Sequence, residues 1–228
     1  MDRPFEILEN EIVNCQLCSR LRQHCTKVAT VKRRAYRDWE YWGRPVPAFG
    51  DPQARILILG LAPGAHGSNR TGRMFTGDRS GEILYRTLHK TGLASQASSL
   101  SRDDGLVLHD VFITAAARCA PPGNKPTPAE IRNCRPFLER ELELLKNVKV
   151  VVALGKIAFD AYLNFLKRRG LLPTRKEFAF RHGACYAMAD GKTLLASYHP
   201  SNQNTQTGKL TRKMFLAIFK EAARLADG

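Results

Sequence analysis

Long apolar stretches are missing from this chain. The longest, Val150 to Leu154 with its neighbours, falls far short of the ~20 residues that cross a bilayer, which excludes a helical membrane span. The first residues, MDRPFEILENE, are acidic and hold no apolar run, so neither a secretory leader nor a basic transit helix is expected there. Repeats, low-complexity tracts and an obvious interdomain linker are also absent. With 228 residues, 43% of them hydrophobic, this leads us to expect one domain over residues 1–228 with a proper core. A cytoplasmic setting follows as an expectation, and thiols stay reduced there. The six cysteines then read as ligands or buried thiols rather than three disulfides. Carboxylates are scarce beside bases: 21 Asp and Glu against 36 Lys and Arg leave a formal charge of +15. Such an excess suits a polyanion, because each phosphate neutralised releases condensed counterions.

Four β-rich apolar runs stand out: RILILGL (55–61), DVFITAA (110–116), VKVVVAL (148–154) and TLLASY (193–198). Helical patterns lie between or after them at about 81–93, 128–147, 155–169 and 207–226. Strands alternating with helices predict an α/β fold, a mainly parallel four-stranded sheet covered on both faces. At the start of the helix near 128, Thr127 can cap, Pro128 suits the first turn, and Glu130 follows three residues after the cap.

Ligands of an open parallel sheet bind outside the carboxyl ends of its strands. Here those ends run into GLAPG, ARCAPPGNKP, ALGK and SYHPSNQN, four loops on one sheet edge. The stretch GLAPGAHGSNRTGRMFTGD (60–78) holds five glycines, one aromatic ring and one carboxylate. Among the cysteines, Cys15 and Cys18 form a C-x-x-C, Cys119 closes the second strand, and Cys134 follows with fourteen residues between. Four thiolates suit tetrahedral zinc or an iron–sulphur cluster. A second tight C-x-x-C, favoured by a zinc ribbon, is lacking, and the wide later spacing leaves room for a bulkier core. Cys25 and Cys185 read as buried, inert thiols.

These motifs, with YWGRPVPAFGDP (41–52), RCAPPGNKPTPAEIRNC and HPSNQNTQTGKLT, resemble family 5 uracil-DNA glycosylases, the B-type iron–sulphur branch of bacteria and archaea. The resemblance runs from Cys15 to about Met214. It implies a three-layer α/β/α domain, a [4Fe-4S] cluster on Cys15, Cys18, Cys119 and Cys134, and monomeric excision of uracil and other deaminated bases from DNA. An enzyme acting on a base takes it out of the stack, and the loop 60–78 would then hold a flipped nucleotide. Gly60, Ala62 and Gly64 would let backbone approach it, with Phe75 as the stacking ring. Arg70 and Arg73 would meet phosphates. His199 would donate to the carbonyl oxygen of the departing base. Ser201, Asn202, Gln203 and Asn204 would enter the minor groove, with Lys209, Arg212 and Lys213 on the backbone.

Two departures shape the chemistry. Leu61 and Ala62 stand where other branches carry an acid that handles water, and ITAAARC carries alanine where uracil-specific branches have an asparagine. Asp78, the remaining carboxylate of the loop, is therefore expected to orient water or stabilise the sugar cation, with helix capping as its plainer role. Asn124 could partly substitute for the missing amide, although it is equally explained as a turn residue. A zinc-stabilised nucleic-acid-binding protein without catalysis is the competing reading. It accounts for the charge and the cysteines but not for the strand-end loops.

Overall fold

The computed structural model describes residues 3–228. Two helices come first, α1 (Arg3–Val13) and α2 (Ser19–Val31), then the short strand β1 (Phe49–Gly50) and the first long one, β2 (Ile56–Gly60). A four-residue turn of helix, α3 (Ser68–Thr71), and α4 (Arg79–Lys90) lead to β3 (Val111–Ala115) and α5 (Pro128–Leu144). There follow β4 (Val150–Leu154), α6 (Lys156–Arg168), β5 (Cys185–Ala187), β6 (Thr193–Ser197), α7 (Asn202–Gln206) and α8 (Arg212–Asp227).

The sheet order is β1-β3-β2-β4-β6-β5. Its four central strands are parallel, and they are the four foreseen in the sequence. The sheet has six strands because β1 and β5 add antiparallel edges of two and three residues, too short to show an alternating pattern. Alternation within β2 divides the core. Ile56 and Ile58 join Leu84, Leu88, Phe215 and Phe219 of α4 and α8 on one face. Leu57 and Leu59 join Leu138, Leu142, Phe159 and Leu163 of α5 and α6 on the other. The result is three layers.

The chain moves from β2 outward to β3 on one side, then to β4 on the other. The strand order therefore reverses between the loops after β2 and β4, the crevice where open α/β sheets bind ligands. Parallel register brings Gly60 level with Ala115, and Leu154 level with Ser197, so four loops leave the sheet at one edge. The predicted capping box forms at α5: Thr127 Oγ1 accepts from the Glu130 amide at 3.2 Å, and Glu130 accepts from the Thr127 amide at 2.7 Å. Among the described residues no helix is long and apolar enough to cross a membrane.

Candidate active site

A cavity of about 920 Å³ opens at this sheet edge. Ala62, Gly64, Phe75, Asp78, Asn124 and His199 line it, as do Ser201, Asn202 and Gln203. Residues separated by more than a hundred positions are thus gathered at one place because the strands that carry them end in register.

The glycines do a different job from the one expected of them. Gly60 does not face the cavity; a β-carbon there would stand 3.0 Å from the Phe75 ring, so its bare backbone makes room for that ring. A β-carbon at Gly67 would lie 2.1 Å from Asp78 Oδ2, and one at Gly64 would lie 2.7 Å from the same oxygen. The loop after β2 is therefore fitted first to a carboxylate and only then to a ligand.

Asp78 takes the plainer role expected of it, helix capping, and also lines the cavity. It is the N-cap of α4, with Oδ1 accepting from the Gly81 amide at 3.0 Å, while Oδ2 lies against the loop at the cavity wall. Burial pushes its carboxyl above the usual range, opposed by the amides of Gly81 and Ser80 and by the Arg70 charge. Phe75 holds a left-handed backbone, φ +53°, a conformation that costs a non-glycine residue on the order of 1 kcal/mol. The adjacent Met74 carbonyl is pinned by the Tyr85 hydroxyl at 2.7 Å. The strained turn lays the Phe75 ring on the His199 imidazole, centroids 5.8 Å apart and planes 28° from parallel. Burial lowers the His199 pKa to about 4, which leaves the ring neutral at neutral pH.

Several expected DNA contacts are occupied otherwise. Arg73 is buried, its Nη2 bridging both oxygens of Asp104 at 2.8 and 2.9 Å and its Nε on Thr76, so it cannot meet a phosphate. Arg70 is buried too, clamped between the Tyr36 and Trp39 rings at 4.0 Å each, with bonds to the His66 and Gly77 carbonyls. Asn204 is turned to the protein, where its amide donates to the His199 carbonyl at 2.8 Å, and Ser201 Oγ caps α7. Asn202 and Gln203 remain exposed at the cavity mouth. Lys209 sits 4.8 Å over the Tyr198 ring, and Arg212 lies in a neighbouring groove. Asn124 has the left-handed turn conformation of its plainer reading, φ +57°, and lines the cavity.

The sequence reading passed over Arg33, Tyr36 and His66, which complete the cavity wall. The signal was the run RRAYRDWEYWGR (33–44), in which basic and aromatic residues interleave. His66 Nδ1 lies 3.1 Å from the Tyr41 hydroxyl, and burial, with Arg33 and Arg70 nearby, lowers its pKa.

A second cluster stands behind the cavity. Cys15 lies between α1 and α2, Cys18 caps α2, Cys119 lies beyond β3, and Cys134 is in α5. Burial raises the Cys18 thiol, an Asn133 hydrogen bond at 3.4 Å opposes this, and Cys119 and Cys15 add to the rise. Burial pushes Cys134 up to about 12, with Arg118 opposing and Cys119 and Cys18 contributing. Cys18 and Cys134 thus both feel the Cys119 thiol. Cys119 is raised first by its hydrogen bond with Cys25 and then by burial. Arg22 Nη1 lies 4.0 Å from Cys119 Sγ. The Nε of Arg22 and the Nε and Nη1 of Arg118 are buried without partners. Among the described residues no group of three or more His, Cys, Asp or Glu side chains is drawn tightly enough around one point for a single metal ion. Cys25 is buried, as foreseen, whereas Cys185 is exposed because it lies on the edge strand β5.

The family model of the uracil DNA glycosylase superfamily matches residues 47–223. The chain is 56% identical over 227 residues to a protein of Thermus thermophilus named type-5 uracil-DNA glycosylase, with 99% of each chain covered. It is 49% identical over 213 residues to the type-5 enzyme of Mycobacterium tuberculosis, covering 93% of this chain and 78% of that one. With the type-5 enzyme of Pyrobaculum aerophilum it shares 45% over 219 residues, 96% of this chain and 92% of the other.

Proposed function

The chain belongs to the uracil DNA glycosylase superfamily, and from that premise we propose that it flips uracil out of DNA and cleaves its N-glycosidic bond, leaving an abasic site for base excision repair. The observation that carries this reading is the convergence of Phe75, Asp78 and His199 on one cavity at the carboxyl edge of a parallel sheet.

The chemistry follows from the charges of a dissociative cleavage. As the bond from C1′ to the base nitrogen breaks, its electron pair leaves with the base and the sugar becomes an oxocarbenium-like cation. Neutral His199, its ring backed by Phe75, donates its N–H to the base carbonyl oxygen where negative charge gathers, a contribution of about 2.7 to 4 kcal/mol for one such preorganised donor. Asp78, held by its cap bond, presents an ionised oxygen that stabilises the sugar cation and orients the water. Water then adds to C1′ and passes its proton to the Asp78 carboxylate, and the departed base anion takes up a proton from solvent. The flipped base rests on Phe75 with Ala62 and Gly64 at its edge.

Neither Ala115 nor Ala116, buried at the end of β3, can read the base edge by hydrogen bonding. Selection then rests on stacking and on ease of extrusion, which extends the substrates to purine deamination products such as hypoxanthine, mispaired bases being preferred. Incubation with duplexes carrying one uracil or one hypoxanthine, followed by alkali, tests both claims. A parent enzyme that leaves uracil in place overturns the function, and one that excises uracil alone overturns only the tolerance.

Cys15, Cys18, Cys119 and Cys134 would hold a [4Fe-4S] cluster. Two observations support the fit: the buried thiols can ionise only beside compensating positive charge, and unpartnered guanidinium nitrogens stand next to them, as an anionic metal–thiolate group requires. When bound, the cluster supplies thiolate attachments that tie α1 and α2 to the β3 loop and α5, making one domain of residues 1–228. The same reading has the protein act as a monomer in the cytoplasm.

A further inference from the structure

We propose that the duplex arm on one side of the flipped nucleotide lies along a groove between α4 and α8, its phosphates held by Arg79, Arg86 and Lys90 from one wall and by Arg212 and Lys213 from the other. This deepens the proposed function and rests on it, because the occupant is the DNA that the glycosylase would engage.

The groove, about 790 Å³, is continuous with the active-site cavity, since Arg79 and Glu82 line both. It begins where Asp78 caps α4. Arg79, Arg86 and Lys90 follow one another at positions i, i+7 and i+11, which a helix places on a single face. At 1.5 Å per residue the row is about 16 Å long. DNA advances 3.4 Å per base pair, so the row spans about five base pairs leading away from the cavity. Across the groove Arg212 and Lys213 open α8, and the floor between is apolar, with Ile83 and Phe215.

What marks this face is a row of exposed cations on both walls of one groove that opens into the cavity. Several arginines elsewhere are matched, Arg55 to Asp110, Arg140 to Glu11, Arg168 to Glu139 and Arg175 to Asp160. Among the described residues none of the five groove cations forms an ion pair, and all five are exposed. Glu82, at the cavity end, is the one carboxylate in the lining. Five cations against the single carboxylate Glu82 leave the groove strongly positive beside the cavity, which is what a phosphate backbone neutralises.

The experiment measures binding to uracil duplexes whose arms, on one side or the other, are trimmed below or extended beyond the ~5 base pairs that α4 covers. The parent should lose affinity when one particular arm is trimmed. Arg86→Gln with Lys90→Gln should bind the long-arm duplex roughly tenfold more weakly, no better than the trimmed one, with a salt slope shallower by about 1.8. Both side chains are exposed, and an unchanged melting temperature verifies that the fold survives. Equal losses on every duplex, or parental binding throughout, would overturn the groove. A parent that shows the one-sided dependence yet leaves uracil uncut refutes the glycosylase reading and not the groove; a parent that excises while the variant binds as it does refutes the groove alone.

Discussion

Arg73 and Arg118 are both buried, one beside the cavity and one beside the thiols, but only Arg73 is complete. Its three nitrogens reach Thr76, the Arg102 carbonyl, Ser99 and both oxygens of Asp104. Arg118 engages Glu141 through Nη2, while Nε and Nη1 have no partner. An unpaired buried donor costs about 1 to 3 kcal/mol, and proteins retain one chiefly where something further completes it. Around the cavity the left-handed turn at Phe75, the glycine clearances and the Asp78 cap are in place, although Arg70 Nη1 is buried without a partner there as well. The unpartnered nitrogens of Arg118 suit the anionic cluster proposed for the thiol side.

The largest expected effect therefore falls on the thiol side. Cys119→Ala should give a colourless protein without iron and with little soluble yield, because metal ligation of this kind is worth about 10 kcal/mol in small domains and a whole fold is worth only about 5 to 15. Cys185→Ser, on an exposed edge, should keep the colour. Full iron content in Cys119→Ala would abolish the distinction between the two sides.

On the cavity side, Arg73→Ala should cost about 3 to 5 kcal/mol in denaturant unfolding, since it strands Asp104, whose side chain is 12% exposed. The salt slope of DNA binding should not move. A shallower slope with unchanged stability would return Arg73 to the phosphates.

Asp78→Asn comes next. Asparagine caps a helix about as well as aspartate, so unfolding should change by less than about 1 kcal/mol. The single-turnover excision rate should nevertheless fall about 100-fold, close to 2.7 kcal/mol of barrier. A loss below about tenfold removes Asp78 from the chemistry and makes it only a cap.

What could be read in the sequence was whatever depends on local pattern. The four central strands announce themselves by β-rich runs, α5 by Thr127, Pro128 and Glu130, and the sheet edge by the glycines and prolines that end each strand. The strands β1 and β5 were invisible because two or three residues carry no period. The misassigned arginines fail for another reason. Arg73 and Arg70 look like exposed cations in a loop, and only the fold brings Asp104 to one and the rings of Tyr36 and Trp39 to the other. The glycines of 60–78 were legible as close approaches, but their partners, the Phe75 ring and the Asp78 carboxylate, lie in the same loop folded back on itself.

The smallest effect, and the finest test of the cavity, is its response to pH. In the proposed mechanism Asp78 acts ionised, while burial holds its pKa above the ordinary carboxylate range. Excision should therefore rise with pH through that raised value, about tenfold per unit below it, and then level off. His199, with its pKa lowered to about 4, is neutral above that pH and contributes no limb of its own there. The stability signs are opposed. A carboxyl whose folded pKa is raised contributes stability below its unfolded pKa and loses it as pH rises through the folded value, so ionised Asp78 is held against the fold's preference. Burying neutral His199 stabilises above pH 6.5 and loses that contribution as pH falls toward about 4. Asp78→Asn should flatten the acid limb of single-turnover excision while raising the melting temperature slightly at neutral pH. A variant that keeps the limb would transfer the titration to another group and leave the cavity's charge unaccounted for.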